Sequence, residues 1–228
     1  VCGDGAWDRR QGLRLRAALV KMQTSVKNRL RALLAQQGEE IRGEVARVEN
    51  LFTEKGMKVL VGLALPEREA KMVGALLKTY NHLQERINET NALVDELYKK
   101  LPYARLIQSV PGFGQFLSVL VATEIADIAR FAAVGQFHAY AGVIPSTHSS
   151  GERSYHGKIT KEGNRWLRWA AVEAVWPGIR ADFDLKCYYE RMKKRKGANS
   201  AKLATARRLL TIIYRMLKEG RSYIPYKR

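Results

Sequence analysis

The sequence predicts an all-α protein, in which long antiparallel coiled-coil helices precede a helical domain containing a helix-hairpin-helix. Three observations carry that expectation. Apolar residues recur at spacings of three and four over 9–36 and again over 73–101, the period of a helix face. A Pro-Gly-Phe-Gly turn at 111–114 joins two short apolar stretches. No segment shows the apolar/polar alternation of a half-buried strand.

The first helix is expected over residues 9–36, with Leu15, Leu19, Met22, Val26, Leu30 and Leu33 on its buried face and Gly38 as its stop. Short helices around a turn are expected over 39–65, where Gly43, Gly56 and Gly62 interrupt two amphipathic stretches. Pro66 suits the first turn of a long helix. Along that helix Val73, Leu76, Tyr80, Leu83, Ile87, Thr90, Val94, Leu97 and Leu101 form a seam of coiled-coil spacing, with Thr90 its one polar position. The seam's partner is either the first helix folded back or the same helix of a second subunit.

Pro102 opens a different region, so the chain divides into a basic-helix and coiled-coil part, 1–101, and a C-terminal domain, 102–228. In its helix-hairpin-helix, Gly112 and Gly114 are the candidate phosphate contacts, because backbone N–H groups must approach an anion at a helix N-terminus. A tight turn without a ligand is the plainer reading of the same residues. A short helix over 134–141 ends at Gly142, and the stretch from Ile144 to Arg165, rich in Ser, Thr, Gly and basic residues, reads as a loop. Helices are expected at about 164–176, 182–195 and 199–219. Trp166, Trp169 and Trp176 would anchor the first, and Asn199 would cap the last. The apolar stripe of the last is Leu203, Ala206, Leu210, Ile213 and Leu217.

Charge narrows the function. Lys and Arg number 40 against 22 Asp and Glu in 228 residues, a formal net charge of +18. On a chain with 46% hydrophobic residues this describes a folded basic protein, for which a polyanion is the expected partner. The excess is concentrated: residues 140–228 carry a net +13, and residues 9–38 hold eight basic side chains and no acidic one. No apolar run approaches the roughly 20 residues of a spanning helix, so no membrane partner is expected. Cys2 and Cys187 alone provide neither a disulfide framework nor a zinc site, and a reducing cytoplasm fits. The four histidines form no i,i+4 pair, and no metal ligand set is assigned to this chain. What remains is a hydroxyl, Ser149 or Ser150, beside Gly151 in a segment crowded by Arg153, Lys158, Lys161, Arg165 and Arg168, though on residue types alone Ser-Ser-Gly reads more simply as a turn. A serine attacking a phosphodiester needs such cations for the developing charge.

The runs VPGFG, EIADIARF, AYAGVIPSTHSSGERSYHGKITKEGNRWLRWAAVEA and KGANSAKLATARRLLTIIYRML resemble the C-terminal domain of the IS110 family of insertion-sequence transposases, the bridge-RNA-guided serine recombinases. The segment TSVKNRLRALL at 24–34 resembles the helix preceding that family's coiled coil. The resemblance implies a DNA transposase that cleaves and exchanges strands through a covalent phosphoserine intermediate. The nucleophile's position falls on Ser150, with Ser149 the neighbouring alternative. Lys158, Lys161, Arg165 and Arg168 are expected to hold DNA phosphates, from their charge and position. The family also implies a guide RNA, a homo-oligomer (dimer or dimer of dimers) and a nucleoid-associated location in a prokaryotic cytoplasm. Its magnesium site belongs to an N-terminal RuvC-like domain that this chain lacks, so the chain is expected to be the C-terminal portion of a longer enzyme and to hold no cofactor. The alternative from another class is a catalytically inactive module that binds nucleic acid and dimerises.

Overall fold

The computed structural model describes residues 4–150, 153–159 and 162–225. Helices dominate it, as expected of an all-α chain: α1 (Asp4–Ala35), α2 (Glu39–Ala46), α3 (Glu54–Gly62), α4 (Glu67–Lys100), α5 (Pro102–Gln108), α6 (Gln115–Ile125), α7 (Val134–Tyr140), α8 (Arg165–Glu173), α9 (Val175–Ala181), α10 (Phe183–Lys196) and α11 (Ala198–Glu219). The departure from all-α is an antiparallel pair, β1 (Pro145–Ser150) and β2 (Arg153–Ile159). Contacts divide the chain into two compact units, residues 12–92 and residues 1–11 with 93–228. No helix among the described residues is long and apolar enough to cross a membrane.

Within the 12–92 unit, α1 runs antiparallel to α4 of the same chain. Arg16 Nε donates to Asn91 Oδ1 at 2.9 Å, and Gln23 Nε2 donates to Gln84 Oε1 at 2.8 Å. One register index rises as the other falls. Leu30, Leu34, Leu51, Leu60, Leu63, Val73 and Leu77 form the core at one end, where Lys27 lies over the Phe52 and Tyr80 rings. Of the expected α4 seam, Val73, Tyr80, Ile87, Val94 and Leu97 are buried, whereas Leu76, Leu83, Thr90 and Leu101 are half-buried and Leu77 is buried in place of Leu76. The face of α1 does not. Its buried residues are Leu13, Ala17, Gln23, Leu30 and Leu34, whereas Leu15 and Met22 are 54% and 56% exposed. The reason is Gln23: a polar residue occupies a seam position because Gln84 satisfies its amide across the interface.

In the other unit α6 is the central helix. Every residue from Ser118 to Ile125 is buried, against α5 on one side and α8 on another. Its near-continuous apolar sequence suits that surrounding. The buried hydroxyls of Ser118 and Thr123 donate to the carbonyls of Gly114 and Val119, so neither is orphaned. Residue pairs Phe131–Phe137, Phe131–Tyr140 and Phe137–Tyr214 build an aromatic cluster at the end of α7.

Three further expectations are corrected. The 164–176 helix breaks at Ala174 into α8 and α9, and Trp176 is 44% exposed rather than anchored in the core. Gly197, not Asn199, is the N-cap of α11. The stretch expected as a loop between Ile144 and Arg165 contains β1 and β2, whose residues Pro-Ser-Thr-His-Ser-Ser and Arg-Ser-Tyr-His-Gly-Lys-Ile carry no apolar alternation to announce a strand.

Gly112 has a structural reason of its own. Its φ is +95°, and a Cβ there would run into the Ala174 carbonyl and stand 2.9 Å from Gly178 N. The α5–α6 turn is thus packed against the α8–α9 junction at backbone distance. Gly114 differs: its φ is −71° and a Cβ would meet nothing within 4 Å. Gly112→Ala should therefore destabilise the protein by at least about 2 kcal/mol, and Gly114→Ala by no more than about 0.5 kcal/mol, measured by urea unfolding.

Candidate nucleic-acid interface

The interface is built from the base of the β1–β2 hairpin upward. Chain enters β1 from Gly142 and leaves β2 toward Gly163, and these two glycines pack together. Gly142 has φ +64°, and a Cβ on it would collide with the Glu162 carbonyl and the Arg168 guanidinium. Gly163 has φ +111°, and its Cβ would stand 2.6 Å from the Tyr140 carbonyl oxygen and 3.1 Å from Gly142 N. Only residues without a side chain allow the two ends of the hairpin to meet at this distance.

Asn164 locks that meeting point. Its backbone N–H donates to the Tyr140 carbonyl at 2.6 Å, and its Oδ1 accepts from the N–H groups of Trp166 and Leu167, capping α8. Its Nδ2 donates to Glu124 Oε2 at 2.7 Å and approaches the Tyr140 hydroxyl at 3.2 Å. That hydroxyl in turn donates to the Glu124 carbonyl. The Glu124 side chain is fully buried, with Arg10 Nε 3.7 Å from Oε2. Arg10 Nε also donates to the Thr123 carbonyl, while its Nη2 is buried without a partner. One buried carboxylate therefore ties α1, α6, α7 and the start of α8 together.

The candidate residues are distributed around this base. Ser149 pairs across the strands with Ser154, and Ser150 with Arg153, at the end of the ladder away from the Pro145–Ile159 pair. Five residues of extended strand put Ser150 about 17 Å beyond Pro145. Lys158 lies near the base, one residue before Ile159. Gly151 and Lys161 lie outside the described residues. Arg165 is the first residue of α8, exposed, its guanidinium 5.2 Å from the Trp166 ring centroid. Arg168 is half-buried and donates from Nη1 to the Ala141 carbonyl at 3.2 Å, closing α7. Gly112 and Gly114 are not brought to the hairpin. Gly112 meets the C-terminal end of α8 and Arg165 begins it, about 14 Å away along a nine-residue helix.

Sequence reading missed Glu124, Tyr140 and Arg10. A signal for the first existed, since Glu124 is the one charged residue in an otherwise apolar or neutral α6. A charge in such a helix needs a buried partner. His138 was passed over too: it is buried, its Nε2 is 3.0 Å from Thr211 Oγ1, and its Nδ1 accepts from Arg207 Nε. Burial, with the Arg207 charge beside it, pushes its pKa down to about 4. Among the described residues no three His, Cys, Asp or Glu side chains come together as a metal site.

Residues 104–190 match the sequence model of the transposase IS116/IS110/IS902 family. The chain is similar to the insertion element IS900 uncharacterized 42 kDa protein of Mycobacterium paratuberculosis, 32% identical over 158 residues that make up 68% of this chain and 40% of that protein. It is 27% identical over 217 residues to the transposase for insertion sequence element IS1111A of Coxiella burnetii, covering 92% of this chain and 58% of the relative. With the insertion element IS110 uncharacterized 43.6 kDa protein of Streptomyces coelicolor it shares 28% identity over 154 residues, 67% of this chain and 38% of the relative. The chain thus spans between 38% and 58% of the length of these relatives.

A pH dependence follows from His138. The unfolded histidine binds a proton near pH 6.5 and the folded one only near pH 4, so the unfolded state takes up more protons between these values. Stability should fall as pH drops from about 6.5 to about 4, and His138→Gln should remove that component from the difference in unfolding free energy between variant and wild type.

Proposed function

We propose that this chain belongs to the IS116/IS110/IS902 transposase family, whose sequence model residues 104–190 match, and that it is the DNA-handling portion of a transposase that works through a serine nucleophile. The observation that supports the reading most is the hairpin. Ser149 and Ser150 occupy the outer end of a ladder whose base is fixed by Gly142, Gly163, Asn164 and Glu124, and the strand partner of Ser150 there is Arg153. A nucleophile held on a rigid support beside cations is what phosphoryl transfer needs.

In the proposed step the Ser150 oxygen bonds to phosphorus as one phosphodiester P–O bond breaks. The hydroxyl proton ends on the departing deoxyribose oxygen, so a protein–DNA phosphodiester and a free DNA hydroxyl replace one DNA phosphodiester and one serine hydroxyl. Reversal of the same exchange with a different DNA hydroxyl completes strand transfer. Arg165, Arg153, Lys158 and Lys161 supply cations for DNA phosphates, and the uncapped α6 N-terminus at Gly114 a backbone contact. In this reading a RuvC-like domain supplies the magnesium site, and guide RNA with further copies of the chain completes the assembly.

Two measurements test this. With junction DNA, guide RNA and the companion metal domain present, denaturing gels should show a covalent adduct in wild type and in Ser149→Ala, and none in Ser150→Ala. Adduct surviving Ser150→Ala removes Ser150 as nucleophile; tight DNA binding without adduct in any form leaves the non-enzymatic binding and dimerising module. Separately, Arg165→Glu should lower the slope of log affinity against log salt by about one on duplex DNA, the loss of a single phosphate contact, because Arg165 makes no contact that holds the hairpin base.

A further inference from the structure

A cavity of about 660 Å³ opens along α10, α11 and the C-terminal segment, apart from the hairpin. Arg191, Arg208 and Arg215 face it together with Tyr188, Tyr223 and Asp184. One wall is the segment after α11, which is tied down at two points. Tyr223 N–H donates to Ser109 Oγ at 2.8 Å, and its hydroxyl donates to Asp182 Oδ2 at 2.6 Å. Burial and that hydrogen bond push the Tyr223 phenol well above its ordinary value, so the wall stays neutral. The other oxygen of Asp182 accepts from Leu185 N–H at the start of α10.

Two carboxylates, Asp182 and Asp184, line the cavity with the three arginines. Among the described residues none of them forms an ion pair with a carboxylate, Asp184 included. Arg191 and Arg208 instead lie over the Tyr188 ring, 5.5 and 4.8 Å from its centroid. Guanidinium groups in that position keep their planar N–H edges available for a bidentate anion, and their mutual repulsion is relieved when one binds. A cavity this large exceeds what a lone phosphate fills and falls in the range that encloses a small organic group. A shallower hollow lined by Cys187, Glu190, Arg191, Lys194 and Arg195 continues from it, three cations against one carboxylate, a path for neighbouring phosphates.

We propose that this cavity takes one unpaired nucleotide of a single-stranded nucleic acid, its phosphate on Arg191, Arg208 and Arg215 and its base against the tyrosine–arginine stack. A base within a duplex remains stacked and does not enter a concave site, so the cavity selects unpaired strand. The proposal goes beyond the transposase reading and does not rest on serine chemistry. RNA and a displaced DNA strand share the recognised chemistry.

The test uses the full chain with fluorescent dT12, U12 and a 12-base-pair duplex, followed by anisotropy across a salt series. Arg208→Gln/Arg215→Gln should weaken dT12 and U12 about tenfold and lower their salt slopes by about 0.7, one single-strand phosphate contact, while duplex affinity changes less than about twofold. The surface pair Lys186→Gln/Lys196→Gln, outside the cavity, should weaken single strands less than about threefold. Cys187 lines the cavity and is a free, exposed thiol, so dT12 or U12 should slow its modification by a maleimide, read by peptide mass. Tighter U12 assigns the site to RNA, and tighter dT12 to a displaced DNA strand. Equal losses on duplex and single strand, equal losses in the surface pair, or an unchanged rate at Cys187 would overturn the proposal.

Discussion

A buried carboxylate sets the arrangement of the hairpin and the start of α8. The Glu124 side chain is fully enclosed, and taking such a charge from water costs several kcal/mol unless other groups repay it. Asn164 repays part of it at 2.7 Å, and Arg10 contributes from 3.7 Å. Asn164 is also the cap of α8 and the residue at which the returning chain of the hairpin meets α7. The position of the Ser-bearing strands and the direction of α8 therefore depend on one amide with three duties. Gly142 and Gly163 are the steric condition for that contact, since a Cβ on either would push the two chains apart.

Charge is arranged around this frame in two distinct ways. Arg168 and Arg10 spend their hydrogen bonds inside the protein, on the carbonyls of Ala141 and Thr123, and act as structural cations. Arg165, Arg191, Arg208 and Arg215 are exposed, and among the described residues no carboxylate pairs with them. A net charge of +18 thus resolves into cations that hold the fold and cations that are free to meet an anion. The second kind lies at the start of α8 and along α10 and α11, at separate places on the same compact unit.

Sequence legibility followed the physics of each element. The α4 seam was readable in part because its apolar residues keep one spacing for four heptads; Val73, Tyr80, Ile87, Val94 and Leu97 are buried, while Leu76, Leu83 and Leu101 are half-buried. The face of α1 was misread because it carries two overlapping apolar stripes, and the deciding residue, Gln23, is polar. Its burial makes sense only with Gln84 opposite, a fact of tertiary pairing. The hairpin was invisible because backbone pairing, with no apolar alternation, defines it. The turn at Pro111–Gly114 was correctly placed between two helices, yet Gly112 is required by contact with Ala174 and Gly178, which lie some sixty residues away in sequence. The Gly163–Asn164 pair takes its meaning from Glu124, Tyr140 and Gly142, three residues from two other helices and the turn after the second.

The central claim is that Asn164, held by Glu124, fixes the hairpin to the helical unit. Amide hydrogen exchange in Asn164→Ala measures this directly. The account predicts that amides of residues 145–159 exchange at least about tenfold faster than in wild type, a loss of about 1.4 kcal/mol of local protection, while those of α10 and α11 keep their rates. Unchanged exchange in the hairpin, or equal acceleration throughout the 93–225 region, would contradict it.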